Sequence, residues 1–255
     1  MSILGNAVSG VRAQQNALDV LGDNLANMNT YGFKAERASF SETLNQVRHI
    51  TQPAGEKTGQ PLLVPSGVMT SGIVRTTTPG VVSDTDNPYS LAIQGDGYFQ
   101  IRLPDQSMAY TRSGNFLRDA DGQLVNEAGY ALEPAVFIPA DQDIYITADG
   151  RVVSEEEDGT TRELAQINLA RFTNAGALQR IGDNLFLASG RTQMVTGAPG
   201  LVGLGTLIPG KIERSNVDLG QEMTDMIQVQ RTYQANTRVI RNADEMWGVA
   251  NAIRR

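Results

Sequence analysis

From Leu219 onward one apolar position recurs every seven residues: Leu219, Met226, Tyr233, Ile240 and Trp247. Val229, Ala243 and Ala250 flank them, with Asn236 as the polar exception, and Val239, Met246 and Ile253 widen the stripe. A seven-residue repeat is the period at which one helix keeps a narrow seam against another. No proline interrupts it. Asp218 stands where an N-cap belongs and Glu222 follows in the first turns. The pattern predicts a helix from about 218 to 253, roughly 54 Å long at 1.5 Å per residue. That is well beyond an ordinary globular helix of about 10–14 residues, and such a seam needs a second helix to cover it.

The first 28 residues offer a candidate. Leu4, Val11, Leu18 and Leu25 share one heptad position, and Ala7, Gln14, Leu21 and Met28 lie three places later. This stripe runs for about 25 residues against about 36 at the other end, so it cannot cover its partner fully. Two arrangements remain open on pattern alone: the two terminal helices pairing within one chain, or packing against neighbouring copies.

The middle of the chain has a different rhythm. SLAIQGDGYFQIRL alternates apolar residues on both sides of Gly95-Asp96-Gly97 and reads as a hairpin. NFLRDADGQLV turns at Asp121-Gly122, and DIYITADGRVV at Asp149-Gly150. ELAQINLARF and NLFLAS supply further strands. No strand–helix–strand alternation occurs, so a nucleotide-binding sheet is not expected. The fold class read here is α+β: terminal helices pairing as a coiled-coil-like bundle around a central antiparallel β-rich domain. The expected division is 1–40 and 216–255 for the helices, 41–75 and 196–215 for extended connectors rich in proline or glycine, and 76–195 for the β domain.

Charge follows this division. Residues 1–40 carry three basic and three acidic side chains, and 216–255 five of each, so the whole net charge of −7 lies in 41–215. Neutral ends suit packing and an acidic middle suits solvation; neither forms a basic nucleic-acid footprint. No apolar run is long enough for a membrane span, and MSILGNAVSGVRAQQ does not read as a cleaved secretory signal. The chain has no cysteine, which excludes disulfides, thiolate metal sites and cysteine nucleophiles.

Sites for chemistry are scarce. The single histidine, His49, would have to serve any Ser-His-Asp arrangement, and a lone histidine near a loop is usually a surface residue. Asp119-Ala-Asp121-Gly122 opens like a calcium loop, but the sixth and twelfth positions are Leu124 and Tyr130 instead of Gly and Glu. The acidic run Glu155 to Asp158 reads as a solvated loop tip. Neither Gly95-Asp96-Gly97 nor Gly200, Gly203 and Gly205 completes a phosphate-binding fingerprint. Murein cleavage is the one enzyme class left open, and no residue spacing points to it. No catalytic residue, metal or cofactor is expected.

Three segments carry a resemblance. SGVRAQQNALDVLGDNLANMNTYGFKAERASF is similar to the N-terminal signature of the bacterial flagellar rod and hook family, through Leu18, Asp19, Val20, Asp23, Asn24, Ala26, Asn27, Thr30, Gly32, Phe33 and Lys34. SNVDLGQEMTDMIQVQRTYQANTRVI resembles its C-terminal signature, through Ser215, Asn216, Val217, Asp218, Glu222, Met226, Ile227, Gln230, Arg231, Tyr233, Asn236 and Ile240. LAIQGDGYFQI…YTRSGNFLRDADGQLVNEAGYALEP is similar to the family's β domain. The stretch 44–67 resembles one that distal rod subunits carry and hook subunits lack, while MTDMI (223–227) is also similar to proximal rod subunits. The length leaves no room for the outer domain of a hook subunit.

The resemblance implies a non-enzymatic structural subunit of the flagellar basal body, stacked helically with its own copies into a hollow rod crossing the periplasm. Its implied partners are other rod proteins, the hook protein, the bushing (P and L) ring proteins and the flagellar type III export apparatus, with no nucleic acid and no membrane insertion. On this reading Leu4, Val11, Leu18, Leu21, Leu25, Met28, Leu219, Met226, Tyr233, Ile240 and Trp247 form the self-assembly seam. A proximal rod or short hook-like subunit is the alternative within the family. A soluble periplasmic binding module is the alternative outside it.

Overall fold

The computed structural model describes residues 2–43, 46–48, 62–64, 67–139, 144–155, 161–188, 190 and 192–253. His49, most of the 44–67 stretch and most of the acidic run after Glu155 lie outside the described residues. The chain forms two compact units, one of residues 1–26, 36–76 and 218–255, the other of residues 27–35 and 77–217.

The first unit contains both long helices, α1 (Ser2–Ala26) and α2 (Leu219–Ile253). α2 starts where the sequence indicates. The Asp218 carboxylate accepts from the backbone N–H groups of Gly220 (2.8 Å) and Gln221 (3.2 Å), satisfying donors that the helix cannot. α1 packs against α2 and against a long strand pair, Glu36–Glu42 with Val68–Arg75, whose register shifts between Ser39 and Phe40. Asn16 donates to the Thr70 hydroxyl at 3.0 Å, and the backbone N–H of Val68 donates to Ser9 Oγ at 3.3 Å, fixing α1 on this ribbon. The composition of 41–75 predicts an extended connector; its strand Val68–Arg75 is instead a paired element of this unit.

The second unit is built from antiparallel strands. Its main sheet runs in the order Gln179–Gly182, Leu185–Leu187, Met108–Thr111, Tyr98–Arg102, Ala131–Glu133, Leu124–Val125, Leu117–Arg118. Leu169–Phe172 joins it beside Tyr98–Arg102 and pairs with Met194–Gly197. The strand Tyr98–Arg102 is covered on both faces, because successive side chains alternate. Phe99 and Ile101 enter the large core, where Phe99 meets Phe116 edge-on at 5.1 Å. Tyr98 points the other way, into a cluster with Tyr110, Phe172 and Phe186.

Two of the expected turns form: Leu117–Arg118 pairs with Leu124–Val125 across Asp121-Gly122, and Ile144–Ile146 with Arg151–Glu155 across Asp149-Gly150. The hairpin expected at Gly95-Asp96-Gly97 does not form. Leu91–Gln94 pairs with Thr206–Pro209 instead, which draws part of the 196–215 stretch into this unit. The physical reason is Arg112. Its guanidinium collects the carbonyl oxygens of Ile93 (2.9 Å), Gly95 (2.7 Å) and Gly97 (2.7 Å), so the segment wraps around a cation instead of closing a two-residue turn. Gly95 (φ 109°) and Gly97 (φ 154°) allow that wrap.

Candidate functional site

On α2 the less exposed positions are Glu222, Asp225, Met226, Val229, Tyr233, Asn236, Thr237, Ile240 and Ala243; Asp225 and Thr237 apart, they are spaced alternately four and three residues apart. Met226, Tyr233 and Ile240 therefore lie on the covered face of α2. Leu219 and Trp247, at the same heptad position, lie toward its ends and are exposed, Trp247 by 53%. Beyond that stretch Met246 (64%), Val249 and Ile253 (81%) are exposed. The length difference explains this, because 25 helical residues cannot cover 35.

The most buried face of α1 is made of small residues, Ala7, Gly10, Ala13 and Ala17, followed by Val20 and Asn24. Leu4, Val11, Leu18, Leu21 and Leu25 flank this face and are half-buried, as is Met28 in the turn beyond the helix. A Cβ at Gly10 would stand 2.8 Å from the amide nitrogen of Asn236, so the polar break in the α2 stripe lies opposite the smallest residue of α1. The small residues let the backbones approach closely. The sequence carries this signal as an alanine–glycine repeat at three- and four-residue spacing, and the larger leucines mask it. A shallow apolar groove of about 190 Å³, lined by Ala17, Val20, Leu21, Phe40 and Val229 among others, also belongs to this unit.

At the end of α1, Asn24 is fully buried. Its amide donates to the Glu36 carbonyl (2.8 Å) and accepts from the Glu36 N–H (2.9 Å), replacing a strand partner with a side chain. The same amide nitrogen donates to the buried carboxylate of Glu222 at 3.1 Å.

In the second unit, residues 27–35 and 211–217 lie together. Thr30 donates to the Asn27 side chain at 3.2 Å. Gly32 has φ +67°, and a Cβ there would fall 2.5 Å from the backbone nitrogen of Ser113. It supplies the left-handed conformation and the close approach together. Phe33 is buried under the guanidinium of Arg180, 5.2 Å from the ring centre. Asn216 accepts from the Ala35 N–H at 2.7 Å and donates to the Thr78 carbonyl at 2.9 Å. Ser215 Oγ accepts from the Val217 N–H at 3.3 Å. Gln230 and Arg231, on α2, are exposed.

Lys34 leads to a buried charge cluster. Glu213, 2% exposed, accepts from Lys34 Nζ (2.6 Å) and the Gly80 N–H (2.8 Å) on one oxygen and from Arg112 Nε (2.6 Å) on the other. Its backbone carbonyl accepts from the Gly32 N–H at 2.8 Å. Lys34 also donates to the Thr78 carbonyl at 2.8 Å. Two cations face one carboxylate, and the carbonyls of Thr78, Ile93, Gly95 and Gly97 disperse the surplus positive charge. Burial would raise the Glu213 carboxyl, but Arg112 and Lys34 outweigh it and hold it below the ordinary glutamate value. Burial pushes the Lys34 ammonium down, against the pull of Glu213. Sequence reasoning reaches Lys34 through its motif and misses Glu213 and Arg112, because a buried charge in a short strand looks like any surface charge. A separate polar cleft of about 360 Å³ in this unit is lined by Asn27, Thr30, Tyr31, Ser113, Arg180 and Asn184 among others.

Among the described residues, no group of three or more His, Asp or Glu side chains is placed to hold a metal ion. No described helix is long and apolar enough to cross a membrane. What the described residues offer is an exposed apolar end on α2 and a tightly bonded charge cluster, as a protein of a structural class would.

Comparison with known proteins defines that class. Residues 4–34 match the family model for the flagella basal body rod protein, 92–154 that for the flagellar hook protein FlgE/F/G D1 domain, and 208–253 that for the flagellar basal body rod FlgEFG protein C-terminal region. The chain is 41% identical to the flagellar basal-body rod protein FlgG of Caulobacter vibrioides, with 100% of both chains aligned. It is 38% identical to FlgG of Borreliella burgdorferi over 100% of this chain and 99% of that one, and 38% identical to FlgG of Bacillus subtilis over 95% of each. It is 42% identical to the flagellar hook protein FlgE of Helicobacter mustelae, but over only 51% of this chain and 30% of the hook protein. The chain belongs to the FlgG family of flagellar basal-body rod proteins.

Proposed function

We propose that this chain is a structural subunit of the distal rod of the bacterial flagellar basal body and that it catalyses no reaction. Copies stack helically into a hollow shaft that carries torque from the motor to the hook. Membership of the rod family over the full length supports the rod reading, and the short match to a hook protein sets it apart from that branch. The observation in the fold that carries the assembly reading is the end of α2, where Met246, Trp247, Val249 and Ile253 are more than half exposed among the described residues.

In this reading α1 and α2 pair as a coiled-coil-like seam through Leu18, Leu21, Leu25, Met226, Tyr233 and Ile240. The helical unit builds the inner tube and the β-rich unit the outer layer. Leu219 and Trp247 meet neighbouring copies. Zero net charge on both terminal segments lets like copies approach without repulsion. The rod crosses the periplasm, abuts other rod proteins and the hook protein, passes through the P and L ring proteins, and reaches its place through the flagellar type III export apparatus.

Trp247→Asp tests this. Trp247 is half-exposed in the subunit, so the variant keeps the stability of the free protein within about 0.5 kcal/mol while placing a charge in the subunit contact. In cells whose own copy is replaced, it abolishes motility and leaves no assembled distal rod in purified basal bodies. Normal rods built from this variant would contradict the reading.

A further inference from the structure

We infer that Glu213 and Asn216 form a mechanical clamp that ties together three of the four points at which the backbone passes between the two compact units. The backbone makes those passages after Ala26, Ala35, Thr76 and Val217. Within the β-rich unit, the segments next to the last three are cross-linked side by side. Lys34 and Ala35 lead to the second passage, Thr78 and Gly80 follow the third, and Glu213 and Asn216 precede the fourth. Asn216 holds the Ala35 N–H at 2.7 Å, the Thr78 carbonyl at 2.9 Å and the Thr78 hydroxyl at 3.2 Å. Glu213 holds Lys34 at 2.6 Å and the Gly80 N–H at 2.8 Å.

Arg112 anchors this tie in the body of the unit. It bonds Glu213 at 2.6 Å and reaches three carbonyls of the 93–97 segment. The bonds of Glu213 to Lys34 and Arg112 are short, charge-assisted and buried, where such bonds are strongest. Within the β-rich unit, a pull or twist that enters along the backbone at Ala35 and Val217 meets the Asn216 cross-links before it reaches the strand Lys211–Glu213. The strand Lys211–Glu213 pairs only with Val82–Asp84 among the described residues, so without the clamp that pair would peel one hydrogen bond at a time. The clamp distributes the load over three backbone segments and one buried arginine.

What applies the load rests on the rod reading, but the clamp itself is testable without it. The chain has no native cysteine, so Arg37→Cys and Met223→Cys give two unique attachment points on exposed residues outside the β-rich unit. The full chain is then pulled between them in an optical trap. Glu213→Gln and Asn216→Ala are compared with Leu132→Ala, a truncation in the sheet core, after each has been unfolded in urea to measure its equilibrium loss. At a fixed load and scaled to equal equilibrium loss, the β-rich unit of both clamp variants unfolds at least about tenfold faster than that of the core variant. Asn216→Ala removes no charge, so it provides a test that does not depend on the folding of Glu213→Gln. Equal rates at equal equilibrium loss would overturn the clamp. Cells carrying Asn216→Ala are then expected to build a normal number of rods and to lose rotation selectively at high viscous load. A force effect in the trap with unchanged swimming at every load would support the clamp and count against the rod reading.

Discussion

Gly32 shows how one residue can be required twice. Its positive φ excludes easy replacement by any L side chain, and the backbone of Arg112 and Ser113 occupies the space a Cβ would need. Gly32→Ala should destabilise the protein by about 2–4 kcal/mol, from backbone strain plus a contact that cannot yield, measured by urea unfolding of the full chain. Glu213 makes a different prediction, in pH. Its carboxyl is held below about 4.5, the ordinary glutamate value. Between that value and its folded one, the unfolded chain binds more protons than the native one. The stability Glu213 contributes is therefore fully present above about 4.5 and is lost as pH falls through the folded value. Glu213→Gln should be less stable at neutral pH and should show a shallower loss on acidification below that point. An unchanged acid slope would exclude Glu213 as the group responsible. The motif residues are legible in the sequence as a set. The tasks of Asn24 and Asn216 are not, because they act on backbone groups whose positions only the fold supplies.

Among elements, α1 is the most informative. Its leucines dominate the sequence pattern, yet its buried face is the alanine–glycine repeat. Period alone cannot separate a wide face from its centre, since both recur at three and four residues. α2 is legible to within a residue at its start, because Asp218 caps it and the helix beyond that cap contains no proline. The segment around Gly95-Asp96-Gly97 defeats a sequence reading because a buried arginine 15 residues away reshapes it, and local turn chemistry carries no trace of that. Two substitutions test the α1 packing. Gly10→Ala should change stability by no more than about 1 kcal/mol, since the gain in helix propensity offsets a small shift of the Asn236 side chain. Gly10→Leu should cost about 2–3 kcal/mol by forcing the helices apart. Asn24→Ala should cost about 2–4 kcal/mol, because it leaves the Glu36 backbone groups and the buried Glu222 carboxylate short of partners. Thermal unfolding followed by circular dichroism at 222 nm reads all three.

At the scale of the whole molecule there is a β-rich unit with its own core and a helical unit whose α2 is exposed toward its C-terminal end. Tyr233 and Trp247 fall at the same heptad position but differ in cover, and that difference separates folding from assembly. Tyr233→Asp should destabilise the free subunit by about 1–3 kcal/mol, whereas Trp247→Asp should spare it and remove only assembly. Analytical ultracentrifugation and urea unfolding on the same samples distinguish the two. Electron cryomicroscopy of the concentrated, polymerised protein tests the central claim most directly. The expected result is a straight hollow tube whose inner layer is α1 and α2, with Trp247 buried between copies. A protein that stays monomeric at high concentration, or a polymer in which Trp247 faces solvent, would contradict it.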